Sequence, residues 1–279
     1  MSIHVALNHV TEYSYDRLVE LGPQVIRLRP CPHSRTPIRA YSLKISPGEH
    51  FINWQQDPQS NYLARLVFPE KTRLFSLEID LITDMTVINP FDFFLEKGAE
   101  EYPFTYSKQV TRELRPYFAK MPLRGRFQEL FEKIDLSKQK TIDFLVQVNQ
   151  LVNQSVGYTI RMDPGVYTPE RTLREGKGSC RDFAWLMVNL FRRAGVAARF
   201  VSGYSIQLAP DLKPVDPNAP AGVAHDVCDL HAWCEVYLPG AGWVGLDGTS
   251  GLLCGEGHIP LATSANAIGA APIEGGVTE

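Results

Sequence analysis

Cys180, His231 and Asp247 are the residues of this sequence whose types and order suit nucleophilic catalysis. A thiol attacks as its thiolate, so it needs a nearby base or a local field that favours the anion. A histidine supplies the base. A carboxylate on its other ring nitrogen fixes the tautomer and stabilises the imidazolium. Cys180 lies in GKGSCRDFAWLMVNLFRRAG, residues 176–195. Gly176, Gly178 and Ser179 read as a turn. Phe183, Leu186, Met187, Leu190 and Phe191 form one apolar stripe, so the spacing predicts a helix over 180–194 that stops at Gly195. Cys180 then sits in the first turn, where free amides and the helix dipole favour a thiolate. The competing reading is a small buried hydrophobe, which is what most free cysteines are.

His231 and Asp247 lie in CDLHAWCEVYLPGAGWVGLDGTSG, residues 228–251. Two strands flank Pro239-Gly240-Ala241-Gly242, a hairpin signal. If Trp233 pairs with Asp247, then His231 and Asp247 are diagonal neighbours on one face. A slip of one residue puts them on opposite faces. The catalytic reading therefore requires an odd-numbered loop or a bulge.

A metal site is the chief chemical rival. His225, Cys228, His231 and Cys234 recur every third residue, and their types suit zinc. On a strand, positions three apart point to opposite faces, so no metal is expected there. Cys228, Cys234 and Cys254 read as structural. So do His258 and the scattered His4, His9, His33 and His50, which have no partner in sequence to activate them. Asp182 reads as a charge in the first helical turn. Asp229 is either solvated or tunes His231. Arg192 and Arg193 read as a solvated helix end, and Trp185 as core. Trp233 and Trp243 are candidates for a cleft wall, Trp233 equally for the core. An oxyanion hole would use the Cys180 N–H and a second donor from Asn153, Gln154, Tyr158 or Tyr167.

The elements that must hold these groups are of two textures. In the first third, Phe75, Leu77, Ile79 and Leu81 alternate with polar residues, as do Tyr41, Leu43 and Ile45. Further strands are expected at 3–14, 24–30, 50–56 and 61–68, punctuated by prolines, which suggests an antiparallel sandwich. An aromatic, proline-broken junction spans 86–116. The texture then turns helical, with Ile142, Leu145, Val148 and Val152 at three- and four-residue spacing. A strand is expected at 196–206, a polar, proline-rich loop at 209–222, and a loosely ordered Ala/Gly-rich tail at 262–279 unless it docks.

The 279 residues carry 28 basic and 31 acidic side chains, a formal charge of −3, with 44% hydrophobic and 21% charged residues. That excludes disorder as the main state and gives no general attraction to nucleic acid or anionic membrane, although Arg115, Arg124 and Arg126 cluster. No apolar run is long enough to span a bilayer, and the N-terminus lacks the apolar centre of a secretory signal. Five cysteines without a scaffold pattern point to a reducing, cytoplasmic compartment. No P-loop, dinucleotide or EF-hand motif is present, so no cofactor and no calcium requirement is expected.

The stretches GKGSCRDFAWLMVNLFRRAGVAARFVSGY, DLHAWCEVYLPGAGWVGLD and GTSG together resemble the bacterial branch of the transglutaminase-like superfamily, often described as cysteine proteases. YSYD at 13–16 and IRLRP at 26–30 resemble the β-rich domain that precedes the catalytic core in that branch. The resemblance implies an α+β fold, with a β-sandwich-like domain at 1–110 and a papain-like core at 111–279. It implies Cys180 as nucleophile, His231 as base and Asp247 as orienter. The implied reaction is attack on a carboxamide or peptide bond through a thioester, with a protein or peptide as substrate. A non-enzymatic interaction scaffold with an occluded triad is the alternative. The family usually places Pro after the triad Asp, whereas here Gly248 follows Asp247.

Overall fold

Six strands open the chain: β1 (Ser2–Leu21), β2 (Gln24–Ile26), β3 (Ile38–Ser46), β4 (Phe51–Gln56), β5 (Tyr62–Val67) and β6 (Thr72–Thr86). They come from a computed structural model that describes residues 2–209 and 223–278. β1, β6 and β3 form one antiparallel sheet, and β2, β5 and β4 a second. The alternation on β6 buries Phe75, Leu77, Ile79 and Leu81. These side chains meet Ala64 and Leu66 of β5 in a common core, as expected when the apolar faces of two sheets close on each other.

Among the described residues, five α-helices follow: α1 (Lys108–Glu113), α2 (Gly125–Phe131), α3 (Thr141–Ser155), α4 (Pro169–Glu175) and α5 (Cys180–Arg193). After them come four longer strands: β7 (Ala198–Gln207), β8 (Val227–Leu238), β9 (Gly242–Asp247) and β10 (His258–Ser264). They make an antiparallel sheet in the order β9-β8-β7-β10, with Leu252–Leu253 outside β9. The fold is α+β, with a strand-rich N-terminal region and a core of helices on an antiparallel sheet. The apolar stripe of α5 is fully buried, and packs with Val148 and Val152 of α3 and with Ala232, Cys234 and Val236 of β8.

The two halves share packing. Tyr204 and Ile206 of β7, with Ile259 and Leu261 of β10, enter the core of the N-terminal sandwich. Buried Asn61 donates to the Thr263 carbonyl at 2.8 Å and accepts from the Thr263 N–H at 2.8 Å, so it pairs with β10 as a strand neighbour would. The Cys31 N–H donates to the Pro260 carbonyl, and His9 Nδ1 lies 2.8 Å from the Tyr204 hydroxyl.

Several elements depart from the sequence expectation. β1 runs to Leu21 and β6 from Thr72 to Thr86, longer than their alternating cores, because pairing with each other satisfies the additional backbone. The strand expected at 24–30 is only Gln24–Ile26. The tail docks: Ile273–Glu274 pairs with β2, and Val277–Thr278 with the end of β1. In the 86–116 junction Phe93 and Phe104 pack on the helical core, and Tyr102 stacks on Phe144 at 3.7 Å between ring centres. Phe91 and Phe94, by contrast, are exposed. Arg192 is buried rather than solvated, donating to the carbonyls of Ala119, Ala198 and Ala265. The chain folds over the C-terminal end of α5, where the last carbonyls leave room for a long cation. The polar loop expected at 209–222 lies, from residue 210 on, outside the described residues.

Candidate active site

Cys180 is the first residue of α5, half-buried at the helix start. The start is fixed locally. Ser179 and Asp182 form a capping box, in which the Asp182 carboxylate accepts from the Ser179 N–H and hydroxyl, both at 2.8 Å. Asp182 also accepts from the Tyr167 N–H at 2.7 Å and from Arg161 at 2.8 and 3.2 Å. Burial works against its charge, but these donors hold its carboxyl below the ordinary value. The expectation of a first-turn charge is thus met by a wholly buried one. As the first helical residue, Cys180 has an N–H without an acceptor inside the helix.

His231 and Asp247 face each other across the hairpin. The pairs Cys234 with Leu246 and Leu238 with Gly242 leave the three-residue loop 239–241, so the next step of the register sets Trp233 opposite Asp247. This is the odd-numbered loop that the pleat demands. His231 Nε2 lies 3.1 Å from Asp247 Oδ2. The Cys180 side chain lies close enough to the same imidazole to act on its charge. Since Nε2 faces the carboxylate, Nδ1 is the ring nitrogen left for the thiol. Burial pushes the His231 pKa down, but Asp247 and Cys180 outweigh it and raise it to about 10.

Asp247 is almost wholly buried and receives four donors. Oδ1 accepts from the Thr249 N–H at 2.9 Å and the Thr249 hydroxyl at 2.8 Å. Oδ2 faces His231 and, at 3.5 Å, His258 Nε2. Burial alone would raise its pKa, but the two imidazoles hold the carboxyl well below the usual carboxylate range. Asn153 clamps the turn that follows Asp247, donating to the Gly248 and Thr249 carbonyls at 3.1 and 2.8 Å. A side chain on Gly248 would press its Cβ to 2.6 Å from the sulfur of Met187 on α5. The departure from Pro at this position therefore coincides with close approach between the turn and the nucleophile helix.

The remaining candidates separate clearly. Asn153 is spent on the turn, and Gln154 is exposed. Tyr167 stacks between Arg161 and Arg171, at 4.0 and 3.7 Å from its ring centre. Tyr158 is the member of that set beside the site. Partial burial raises its pKa first, and the nearby Cys180, Asp229 and Asp247 add to the rise. Asp229 itself is exposed. Trp233 is core rather than cleft wall, and Trp243 meets Tyr117 and Tyr237 edge-to-face. Trp185 packs against the core. The series His225, Cys228, His231 and Cys234 is not brought together: His225 and Cys228 are exposed, while Cys234 is buried.

Sequence reasoning missed His258. It reaches Asp247 from β10, eleven residues beyond it in sequence and on the far side of the sheet order from β9, with its ring edge-on to Trp233 at 5.2 Å. No local signal marks it, because the short GEGH turn says nothing about which strand it feeds. No helix among the described residues is long and apolar enough to cross a membrane.

The chain was compared with known proteins and structures. Residues 5–84 match the profile of the bacterial transglutaminase-like N-terminal region, and residues 128–248 that of the transglutaminase-like superfamily. The uncharacterised protein YebA of Bacillus subtilis is 26% identical over 162 residues, 56% of this chain. A protein-glutamine gamma-glutamyltransferase of Pseudomonas aeruginosa is 25% identical over 219 residues, 72% of this chain. The chain spans 21% and 32% of the lengths of these two relatives. A solved structure of a candidate cysteine protease from Cytophaga hutchinsonii superposes with a TM-score of 0.71 at 20% identity, covering 100% of this chain and 89% of the other.

Proposed function

Since the chain belongs to the transglutaminase-like superfamily, we propose that it is a cysteine acyl-transfer enzyme whose nucleophile is Cys180, with His231 as base and Asp247 as orienter. The observation that carries this reading is the 3.1 Å contact of His231 Nε2 with Asp247 beside the start of α5, where Cys180 is close enough to help raise the imidazole pKa. His231 Nδ1 takes the thiol proton while Nε2–H donates to Asp247. The sulfur attacks the carbonyl of a carboxamide or peptide bond. His231 then returns the proton to the leaving ammonia or amine, and a thioester remains on Cys180. Water or a second amine takes the acyl group and restores the thiol. Asp247 stays ionised throughout, because four donors hold its charge. The Cys180 N–H and the Tyr158 hydroxyl are the donors proposed for the oxyanion.

A polypeptide acyl donor fits the rim. Tyr158, Ile160 and Met162 are all exposed on the segment that begins with the Gly157–Tyr158 strand paired to Lys177–Gly178, and whose Arg161 carbonyl accepts from Arg181 next to Cys180. Exposed apolar side chains beside a nucleophile give an extended chain something to bind.

The test is labelling with iodoacetamide followed by intact mass and peptide mapping at pH 6. That is well below the pKa of roughly 8.5 expected of a free thiol. The expected result is one rapid label on Cys180, absent in Cys180→Ala and slowed roughly tenfold or more in His231→Ala, since a general base contributes on that scale or above. Glutamine peptides with and without an added primary amine would then separate hydrolysis from transamidation. Slow labelling spread over Cys180 and exposed Cys228 would overturn catalysis in favour of the scaffold reading.

A further inference from the structure

His231, Asp247 and His258 present Nε2, a carboxylate oxygen and Nε2 to one point. These ligand atoms all lie within 4.8 Å of one another. We propose that these three residues form an inhibitory site for a zinc-like divalent metal ion, which switches the enzyme off by capturing its base. The inhibition rests on the function proposed above, while the metal site itself does not.

Two of the three ligand–ligand edges already match a tetrahedral site. Zinc holds nitrogen and oxygen ligands at about 2.0–2.2 Å, so neighbouring ligand atoms on the tetrahedron lie about 3.3 Å apart. The two edges that meet at Asp247 Oδ2 measure 3.1 Å to His231 and 3.5 Å to His258. The third edge, between the two imidazole nitrogens, is no longer than 4.8 Å and closes as the rings turn toward each other. Two imidazoles and one carboxylate are a common zinc donor set, and the fourth position is left to water. All three side chains are mostly buried, at 12%, 6% and 17% exposure, so packing already orients them. His258 is positioned from outside the helical core. Its strand, β10, is bonded to Asn61 and Cys31 of the N-terminal half, and its ring abuts Trp233.

A metal on His231 Nε2 changes what the ring can do for Cys180. Coordination uses the Nε2 lone pair, so the neutral ring carries its proton on Nδ1. Nδ1 then cannot accept the thiol proton, and the nucleophile loses its base. The Asp247–His231 hydrogen bond is replaced by two bonds to the metal. No electrons are transferred; the proton displaced from Nε2 goes to Nδ1 or to solvent.

The experiment is a calorimetric titration of the full chain with zinc chloride in a non-chelating buffer, paired with iodoacetamide labelling at each zinc concentration. The expected result is about one equivalent bound at micromolar zinc. His258→Ala should weaken it roughly tenfold or more, and Cys180→Ala should leave it unchanged. Asp247→Asn serves as a second ligand variant, and circular dichroism shows that each variant is folded. Zinc should slow Cys180 labelling about tenfold in the parent protein and far less in His258→Ala. Binding that survives both ligand variants, binding that requires Cys180, or no binding at about 100 µM zinc chloride, well above the micromolar range expected, would each overturn the site. Zinc binding without any activated thiol would instead sink the catalytic reading and leave the metal site standing.

Discussion

The two sides of the candidate site are held in different ways. The Cys180 side is set within one stretch of chain, residues 161–182: Ser179 and Asp182 cap α5, and Arg161 and the Tyr167 N–H close around the same carboxylate. The His231–Asp247–His258 side is set across three strands, by the register of one hairpin and by a strand that leans on the N-terminal sandwich. Local capping fixes where a helix starts but not what faces it. Strand register fixes which side chains face each other, but only if the sheet is pinned from both sides.

Five predictions test that contrast, beginning with the largest effect. Asp182→Ala removes the partner of buried Arg161 and the acceptor of two cap hydrogen bonds, so it should cost about 3–5 kcal/mol in chemical denaturation. A loss under about 1 kcal/mol would mean that the helix start is held by packing alone. The same residue predicts a pH dependence. Its folded pKa is depressed, so its contribution is present above the unfolded value of about 3.9 and is lost as pH falls through the folded value. Asp182→Asn should therefore flatten the stability slope below pH 4 in acid titration followed by circular dichroism.

Gly248→Ala should cost about 1–3 kcal/mol by overpacking against Met187, and Met187→Ala should relieve part of it. Additive losses in that double-mutant cycle would show that the two do not touch. Asn61→Ala leaves both backbone groups of Thr263 unpaired and should cost about 1–3 kcal/mol. If β10 is pinned from the N-terminal half, the variant should also weaken zinc binding while leaving Cys180 labelling nearly unchanged. The smallest effect, about 0.5–1.5 kcal/mol, is expected of Tyr204→Phe, which loses one hydrogen bond to His9.

The helix from Cys180 was legible because its stripe repeats with helical spacing, its cap is a serine and its stop a glycine within one short window. The pairing of His231 with Asp247 was legible only as a condition. The loop 239–241 had to hold an odd number of residues, and Pro239 and Gly240 did not say which residues would close it. Arg192 was misread because a cation at a helix end looks solvated until a distant segment, here Ala119 and Ala265, is folded over it. The docked tail was unreadable for a similar reason. Its two short strands carry almost no periodicity and exist only because β1 and β2 offer them open edges.

The sequence by itself determined the helix start that presents Cys180, the hairpin that carries His231 and Asp247, and the alternation that makes the N-terminal half a sandwich. Each of these is written in periods of two or 3.6 residues and in caps a few residues wide. Only the tertiary structure decided that His258 shares the Asp247 carboxylate, that Tyr158 and not Asn153 stands beside the thiol, and that the N-terminal half braces β10. Those contacts join residues far apart in the chain. Strand order in a sheet is settled by which faces bury each other, a quantity that no local window contains.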